Sequence, residues 1–230
     1  MAITAEDDLS VLGDAAVTYV EDGMRVGLGT GRAATAFIRA LAARFAGRPA
    51  RLSCVATSEA TAKLASSLGL RLTSLTDAGE LDLTVDGADE VDSRLDLIKG
   101  LGGALVREKI VAASSRRLVV VVGAEKMVSR LGVSTPVPVE VLPFGAALCR
   151  RRLEALGAKP SLRVAGVAAF VSDNGNHILD CAFDGIEDAA ALDCAIREIP
   201  GVVGTGLFVG MAERVLVQDG KRVEVHRRIA

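Results

Sequence analysis

The sequence predicts an α/β fold, an open parallel sheet with helices on both faces, followed by a smaller α+β domain. Three observations predict it. Short apolar runs alternate with stretches of helical spacing through the first half; the pattern changes at Thr135-Pro136-Val137-Pro138; and strand, helix, two strands, helix and strand follow in turn.

The first helix is expected over Ala5–Val20, with Leu9, Leu12, Ala16 and Tyr19/Val20 at helical spacing and a stop at Asp22-Gly23. Arg25–Leu28 reads as a strand, and Phe37, Ile38, Leu41 and Phe45 mark one face of the next helix. Strand Leu52–Val55 and helix Glu59–Leu68, closed by Gly69, come next. Strands at Leu81–Val85 and Leu118–Val122 flank a helix around Ala104–Ala113. The two prolines at 136 and 138 suit an edge strand or a domain boundary. Beyond them a helix is expected over Gly145–Leu156, and strands at Val167–Val171 and His177–Cys181 around the hairpin signal Ser172-Asp173-Asn174-Gly175-Asn176. Helix Ala189–Ile199 and strand Gly201–Val203 complete that unit, and Arg214–Val217 and Arg222–Val225 return to strand. The expected fold class is thus a Rossmann-like parallel-sheet domain over residues 1–132 plus 208–230, with a ferredoxin-like α+β domain over residues 133–207.

Composition narrows the function. With 50% hydrophobic and 24% charged residues the chain has the balance of a soluble globular protein, and it has no apolar run of membrane-spanning length. The acidic start Met-Ala-Ile-Thr-Ala-Glu-Asp-Asp does not read as a leader peptide, so a cytoplasmic enzyme is expected. A net charge of −2, no Trp and the single Tyr19 argue against nucleic acid as a partner; Arg150-Arg151-Arg152 reads as a solvated helix face. Cys54, Cys149, Cys181 and Cys194 form no Cys-x-x-Cys pair and read as reduced, buried small hydrophobes. His177 and His226 lack zinc-site spacing and read as structural. Chemistry therefore falls to carboxylates, lysines and backbone.

Three polar segments stand at or beside predicted strand ends, where ligands bind in open parallel sheets. Gly27-Leu28-Gly29-Thr30-Gly31-Arg32-Ala33-Ala34 is a glycine loop opening a helix, suited to an anion or to a tight ligand-free turn. A dinucleotide site would need an acid at the end of the next strand, which reads Cys54-Val55-Ala56-Thr57-Ser58; no Walker Gly-Lys-Ser/Thr follows either, so a single phosphate fits better. Val85-Asp86-Gly87-Ala88-Asp89-Glu90 gathers three acids, open to readings as a magnesium site, as proton-moving and hydroxyl-binding groups, or as solvated turn residues. Ile98-Lys99-Gly100-Leu101-Gly102-Gly103-Ala104 brings a lysine into a glycine loop, and Arg107-Glu108-Lys109 follows on the first or second turn of a helix.

Together these segments resemble type A ribose-5-phosphate isomerase. The resemblance extends through Thr57-Ser58-Glu59-Ala60-Thr61, Pro136-Val137-Pro138-Val139-Glu140-Val141, Ser172–Asn176 and Ile199-Pro200-Gly201-Val202-Val203, and so covers nearly the whole chain in order. It implies interconversion of D-ribose 5-phosphate and D-ribulose 5-phosphate through a cis-enediolate, in the pentose phosphate pathway, with no metal or other cofactor. It implies Glu108 as the base, Lys99 and the glycine-loop N–H groups as enediolate stabilisers, and Asp86 and Asp89 as groups that hold hydroxyls, assist ring opening and shuttle the O1/O2 proton. Gly29, Thr30, Gly31, Arg32, Ala33, Gly87, Ala88, Gly100, Gly102 and Lys126 are the implied substrate-binding positions, Thr30, Gly31 and Lys126 holding phosphate or nearby hydroxyls. A homodimer or homotetramer is implied, with the smaller domain expected at its interface.

Two segments depart from the family pattern. Gly31-Arg32-Ala33 replaces a common Gly-Ser-Thr, and no Lys or Arg precedes Arg25; Arg32 is expected to supply the missing charge to phosphate. Leu101 stands in a loop that is often all glycine, which bears on how closely each loop N–H approaches a substrate. A sugar-phosphate sensor would need no Glu108 with Lys99, and no output module is visible. Amino-sugar phosphate deamination would call for a histidine near the three loops, and coenzyme A transfer on a similar architecture is the other enzymatic alternative.

Overall fold

A computed structural model of the chain describes residues 9–46 and 52–228. In chain order the first elements are α1 (Ser10–Val17), β1 (Arg25–Leu28), α2 (Arg32–Arg44), β2 (Ser53–Ala56), α3 (Glu59–Ser67) and α4 (Leu75–Ala78). Then come β3 (Leu83–Asp86), β4 (Glu90–Val91), β5 (Leu97–Ile98), α5 (Leu105–Ala113) and β6 (Leu118–Gly123). The second half holds β7 (Val137–Val141), α6 (Ala146–Ala155), β8 (Lys159–Leu162), β9 (Val164–Ala165), β10 (Ala168–Ala169), β11 (His177–Ala182) and α7 (Ala189–Arg197). The chain closes with β12 (Val202–Thr205), β13 (Leu207–Phe208), β14 (Arg214–Asp219) and β15 (Arg222–Arg227). The expected first helix is described from Ser10; its positions 5–8 lie outside the described residues.

The chain divides into two compact units: Met1–Gly87 with Arg107–Lys126 and Met211–Ala230, and Ala88–Val106 with Met127–Gly210. These differ from the expected domain boundaries: residues 88–106, 127–132 and 208–210 group with the second unit. The reason is a three-stranded sheet of β13, β5 and β4, too short to show in the sequence pattern.

In the first unit the sheet runs β15-β14-β6-β3-β1-β2, parallel throughout except for β15 at the edge. Strand β6, Leu-Val-Val-Val-Val-Gly, is buried along almost its whole length, as expected of a parallel strand covered on both faces. Helix α2 buries Ala34, Phe37, Ile38 and Leu41, an i, i+3, i+4, i+7 stripe, and packs with Leu12 and Ala16 of α1. Gly13 allows this, since a Cβ there would stand 2.6 Å from the Ala36 carbonyl oxygen. From β1 the chain passes to β2 on one side and to β3 on the other, so the strand order reverses between β1 and β3. In such sheets that reversal opens a crevice at the strands' carboxyl ends.

In the second unit β12-β7-β11-β8 form an antiparallel sheet with α6 and α7 on one face. The order is the expected β-α-β-β-α-β, but its second strand is β8 and not the expected Val167–Val171, of which only Ala168–Ala169 is strand, paired with β9. Val137, Val139 and Val141 alternate into the core with Cys149, Leu153, Leu179 and Ile196, while Pro138 and Glu140 point to the other face.

Three expectations need correction. Strand β7 is interior, not an edge strand. Its Pro138 is tolerated because its ladder-facing side looks toward β12, whose pairing ends at Thr205↔Val139 after a bulge; only the Pro138 carbonyl is used there, by the Gly206 N–H at 2.7 Å. The Ser172–Asn176 turn forms, with the Ser172 N–H donating to the Asn176 oxygen, but β10 pairs with β9 and β11 with β7 and β8, so the turn does not join a hairpin. Cys54, Cys149 and Cys181 are buried, whereas Cys194 is exposed, two residues from both Leu192 and Ile196, which carry the inward face of α7.

Candidate active site

At the carboxyl end of β1 the chain turns through Gly29-Thr30-Gly31 into α2. The Gly29 N–H donates to the Val85 oxygen at 2.9 Å, extending the β1–β3 pairing by one residue. A Cβ at Gly29 would lie 2.1 Å from Asp86 Oδ1, so only glycine fits beside that carboxylate. Gly31 caps α2 at φ 105°, a left-handed conformation that favours glycine. Asp86, the last residue of β3, is buried, and its Oδ1 accepts the N–H groups of Thr30 at 3.0 Å and Gly87 at 2.7 Å. Two charge-assisted backbone bonds fix the carboxylate against the loop.

Behind the loop stands a group of hydroxyls that sequence reasoning left without a role. Thr30 Oγ1 lies 2.8 Å from both Thr57 Oγ1 and Ser58 Oγ and 3.1 Å from Thr61 Oγ1. Thr61 Oγ1 donates to the Gly29 oxygen and Thr57 Oγ1 to the Leu28 oxygen. Ser58 caps α3 by accepting the Thr61 N–H. The signal was present in Thr57-Ser58-x-x-Thr61, a cap motif at a strand end.

Glu108 is buried on the first turn of α5. The direction of α5 follows from its far end, where the Ser114 oxygen accepts the Leu81 N–H just before β3 begins. The helix therefore runs antiparallel to the strands and carries Glu108 toward their carboxyl edge, where Gly29–Gly31 and Asp86 also lie. One turn on, Val111 packs on the sheet: a Cβ at Gly27 of β1 would meet its Cγ1 at 2.7 Å. Glu108 and Val111, three apart, share that face. Arg32 is exposed at the first helical position of α2 with partly buried Ala33 beside it, and Lys126 ends the 3-10 turn Ala124–Lys126 that follows β6.

The second unit holds the other expected residues. Lys99 is buried, its N–H donates to the Gly206 oxygen, and its ammonium stands 5.3 Å from the centre of the Phe208 ring, a cation–π distance. Asp89 follows Ala88, which is the first residue of this unit; the Asp89 N–H donates to the Ile98 oxygen and its Oδ2 accepts the Leu101 N–H at 3.0 Å. The departure at position 101 is thereby accommodated: its N–H is engaged by Asp89, and its side chain is 44% exposed. Gly100 is buried at φ 103°, where a Cβ would stand 2.6 Å from that of Leu105, and Gly102 is exposed.

The acidic segment separates by role. Glu90 is buried and accepts three backbone N–H groups, from Gly132 at 2.6 Å, Ser134 at 2.8 Å and Thr135 at 2.6 Å. It anchors the chain ahead of β7, which leaves Asp86 and Asp89 as the acids open to a chemical role. Among the described residues no group of three or more His, Cys, Asp or Glu is arranged to hold a metal ion, and no helix is long and apolar enough to cross a membrane.

Comparison with known proteins gives a consistent result. The family model for ribose 5-phosphate isomerase A (phosphoriboisomerase A) matches residues 53–222. The ribose-5-phosphate isomerase A of Roseiflexus sp. (strain RS-1) is 54% identical over 215 residues, 92% of each chain. That of Gloeobacter violaceus is 52% identical over 211 residues, 91% of each. Among solved structures, ribose 5-phosphate isomerase A from Methanocaldococcus jannaschii superposes with a TM-score of 0.91 at 37% identity, covering 96% of this chain and 99% of that one. A D-ribose-5-phosphate isomerase in complex with phospho-erythronic acid superposes at 0.93 with 34% identity, covering 99% and 100%.

Proposed function

This chain belongs to the ribose 5-phosphate isomerase A family, and from that membership we propose that it interconverts D-ribose 5-phosphate and D-ribulose 5-phosphate through a cis-enediolate. The observation that supports this most is the buried Glu108 carboxylate on the first turn of α5, directed toward the sheet edge that carries Asp86 and the Gly29–Gly31 loop.

Moving the carbonyl from C1 to C2 takes a proton from C2 and returns one to C1, which one carboxylate can do in turn, as in triosephosphate isomerase. Glu108 has that role in this reading. The intermediate carries negative charge on oxygen, which the Lys99 ammonium and loop N–H groups offset. Asp86 and Asp89 bind hydroxyls, assist ring opening and move the proton between O1 and O2. The fixed carboxylate of Asp86, with one oxygen holding two backbone N–H groups, suits a group that must keep its place while a substrate moves.

Thr30, Gly31, Arg32 and Lys126 take the phosphate end, with Gly29, Ala33, Gly87, Ala88, Gly100 and Gly102 lining the sugar. A cation on the first turn of a helix opposes the helix dipole, and α2 has no acid in its first turn to offset it. A bound phosphate at Arg32 reconciles the two. The bound four-carbon sugar-acid phosphate in a 34% identical relative accords with a sugar phosphate as ligand. We place the enzyme in the cytoplasm as a homodimer or homotetramer; the exposed Leu142, Phe144, Val164 and Val167 of the second unit support that unit as the interface.

The test is conversion of ribose 5-phosphate to ketopentose in the presence of EDTA, wild type beside Glu108→Gln. Full wild-type activity and a loss of roughly a thousandfold in kcat for the variant are expected. An inactive wild type, or a fully active variant, overturns the reading.

A further inference from the structure

We infer that Arg163 is a positioning residue that sets the direction of the Gly102 N–H in the 100–103 loop. The inference rests on the reading that this loop faces the substrate.

Arg163 stands between β8 and β9 with its backbone held on both sides: its N–H donates to the Ile178 oxygen and its oxygen accepts the Phe170 N–H, each at 2.9 Å. Its side chain, 12% exposed, divides its donors. Nε donates to Asp180 Oδ2 at 2.9 Å and Nη2 to Asp180 Oδ1, a two-point ion pair on a carboxylate that is itself largely buried. Nη1 donates to the carbonyls of Gly100 at 2.9 Å and Leu101 at 3.0 Å, more than sixty residues away along the chain. A simple ion pair would not require those two bonds.

Their consequence follows from peptide geometry. In a trans peptide the C=O of one residue and the N–H of the next point in opposite directions. Holding the Gly100 carbonyl therefore aims the Leu101 N–H away from Arg163, and that N–H is the one Asp89 accepts. Holding the Leu101 carbonyl likewise aims the Gly102 N–H away, on an exposed stretch of loop. The cation also polarises both peptide units and makes their N–H groups stronger donors.

The rest of the loop is closed by the same segment. The Gly103 N–H donates to the Gly100 oxygen at 2.9 Å, and the Phe170 ring fills the space where a Cβ on Gly103 would come within 2.5 Å of its Cζ. The guanidinium lies 5.8 Å from the centre of that ring. A run of glycines has the largest backbone freedom to lose, so an external clamp on two successive carbonyls is an economical means of ordering it. Lysine could not reproduce it, since one ammonium cannot pair with Asp180 in two places and reach both carbonyls.

The experiment measures kcat and KM for ribose 5-phosphate, per folded molecule as determined by circular dichroism, for Arg163→Met, Arg163→Lys, Asp180→Asn and Lys99→Met. A donor aimed at charge that develops in the transition state appears in kcat. For Arg163→Met a loss of roughly ten- to hundredfold in kcat is expected, with KM within about threefold of wild type. Arg163→Lys should recover part of it, and Asp180→Asn, which leaves the carbonyl donors in place, should lose less. Wild-type kcat per folded molecule in Arg163→Lys and Asp180→Asn, or in Arg163→Met where it folds, overturns the inference even if melting temperatures fall. An impaired Lys99→Met beside unimpaired Arg163 variants removes the inference alone. A silent Lys99→Met removes the loop from the site and the inference with it.

Discussion

Asp86 Oδ1 accepts the Thr30 N–H at 3.0 Å, tying the last residue of β3 to the loop that leaves β1. One carboxylate oxygen thus shapes the anion-facing turn, and the crevice at the strand reversal is built from two segments far apart in sequence.

The first prediction concerns Gly29. A methyl group there would fall 2.1 Å from Asp86 Oδ1, so Gly29→Ala must displace the carboxylate or the loop. A loss of about 1–3 kcal/mol in stability is expected from the overpacking. A fall in kcat/KM of roughly a hundredfold should accompany it. Urea unfolding and steady-state kinetics on the same preparation check both, and an active variant of wild-type stability would refute the close packing.

The second concerns Arg32. If it grips phosphate, Arg32→Ala should raise the Michaelis constant for ribose 5-phosphate by roughly tenfold or more, with kcat changed less, because the phosphate is remote from the reacting carbons. The increase should shrink as ionic strength rises. An unchanged Michaelis constant would remove Arg32 from the phosphate site.

The third concerns pH and Glu213. Burial alone would raise its carboxyl, but hydrogen bonds from Arg117 and Arg214 outweigh this and hold it below the ordinary glutamate value. A depressed carboxyl contributes stability that is present above the unfolded value of about 4.3 and lost as pH falls through the folded one. Glu213→Gln should therefore melt below wild type at pH 7 and match it at strongly acid pH. The carboxylate is partly exposed, so the gap at pH 7 should be no more than about 2–4 °C. A gap that persists unchanged in acid would show that packing, not charge, holds the site.

Much of the architecture was legible because it is periodic. The apolar stripe of α2, the continuous run of β6 and the helices α6 and α7 follow from local spacing, and the structure reproduces them within a residue or two, whereas the strand expected at Val167–Val171 is replaced in the sheet by Lys159–Leu162. The two-residue strands β4, β5 and β13 were not legible, since pairs so short have no period; nor was the interior place of β7, which depends on where the pairing of β12 stops.

The sequence by itself determined the fold class, the family and the residue types available for chemistry. Glycine at 29, acids at 86, 89 and 90, lysine at 99 and glutamate at 108 are chemical facts before any folding. Only the tertiary structure decided how those groups divide their work. Glu90 uses both oxygens on three backbone N–H groups of the 132–135 segment, Asp89 engages the Leu101 N–H, and Arg163, which no local pattern singles out, holds the carbonyls on either side of it. The physical reason is that donors and acceptors find partners by distance in space, which spacing along the chain does not encode.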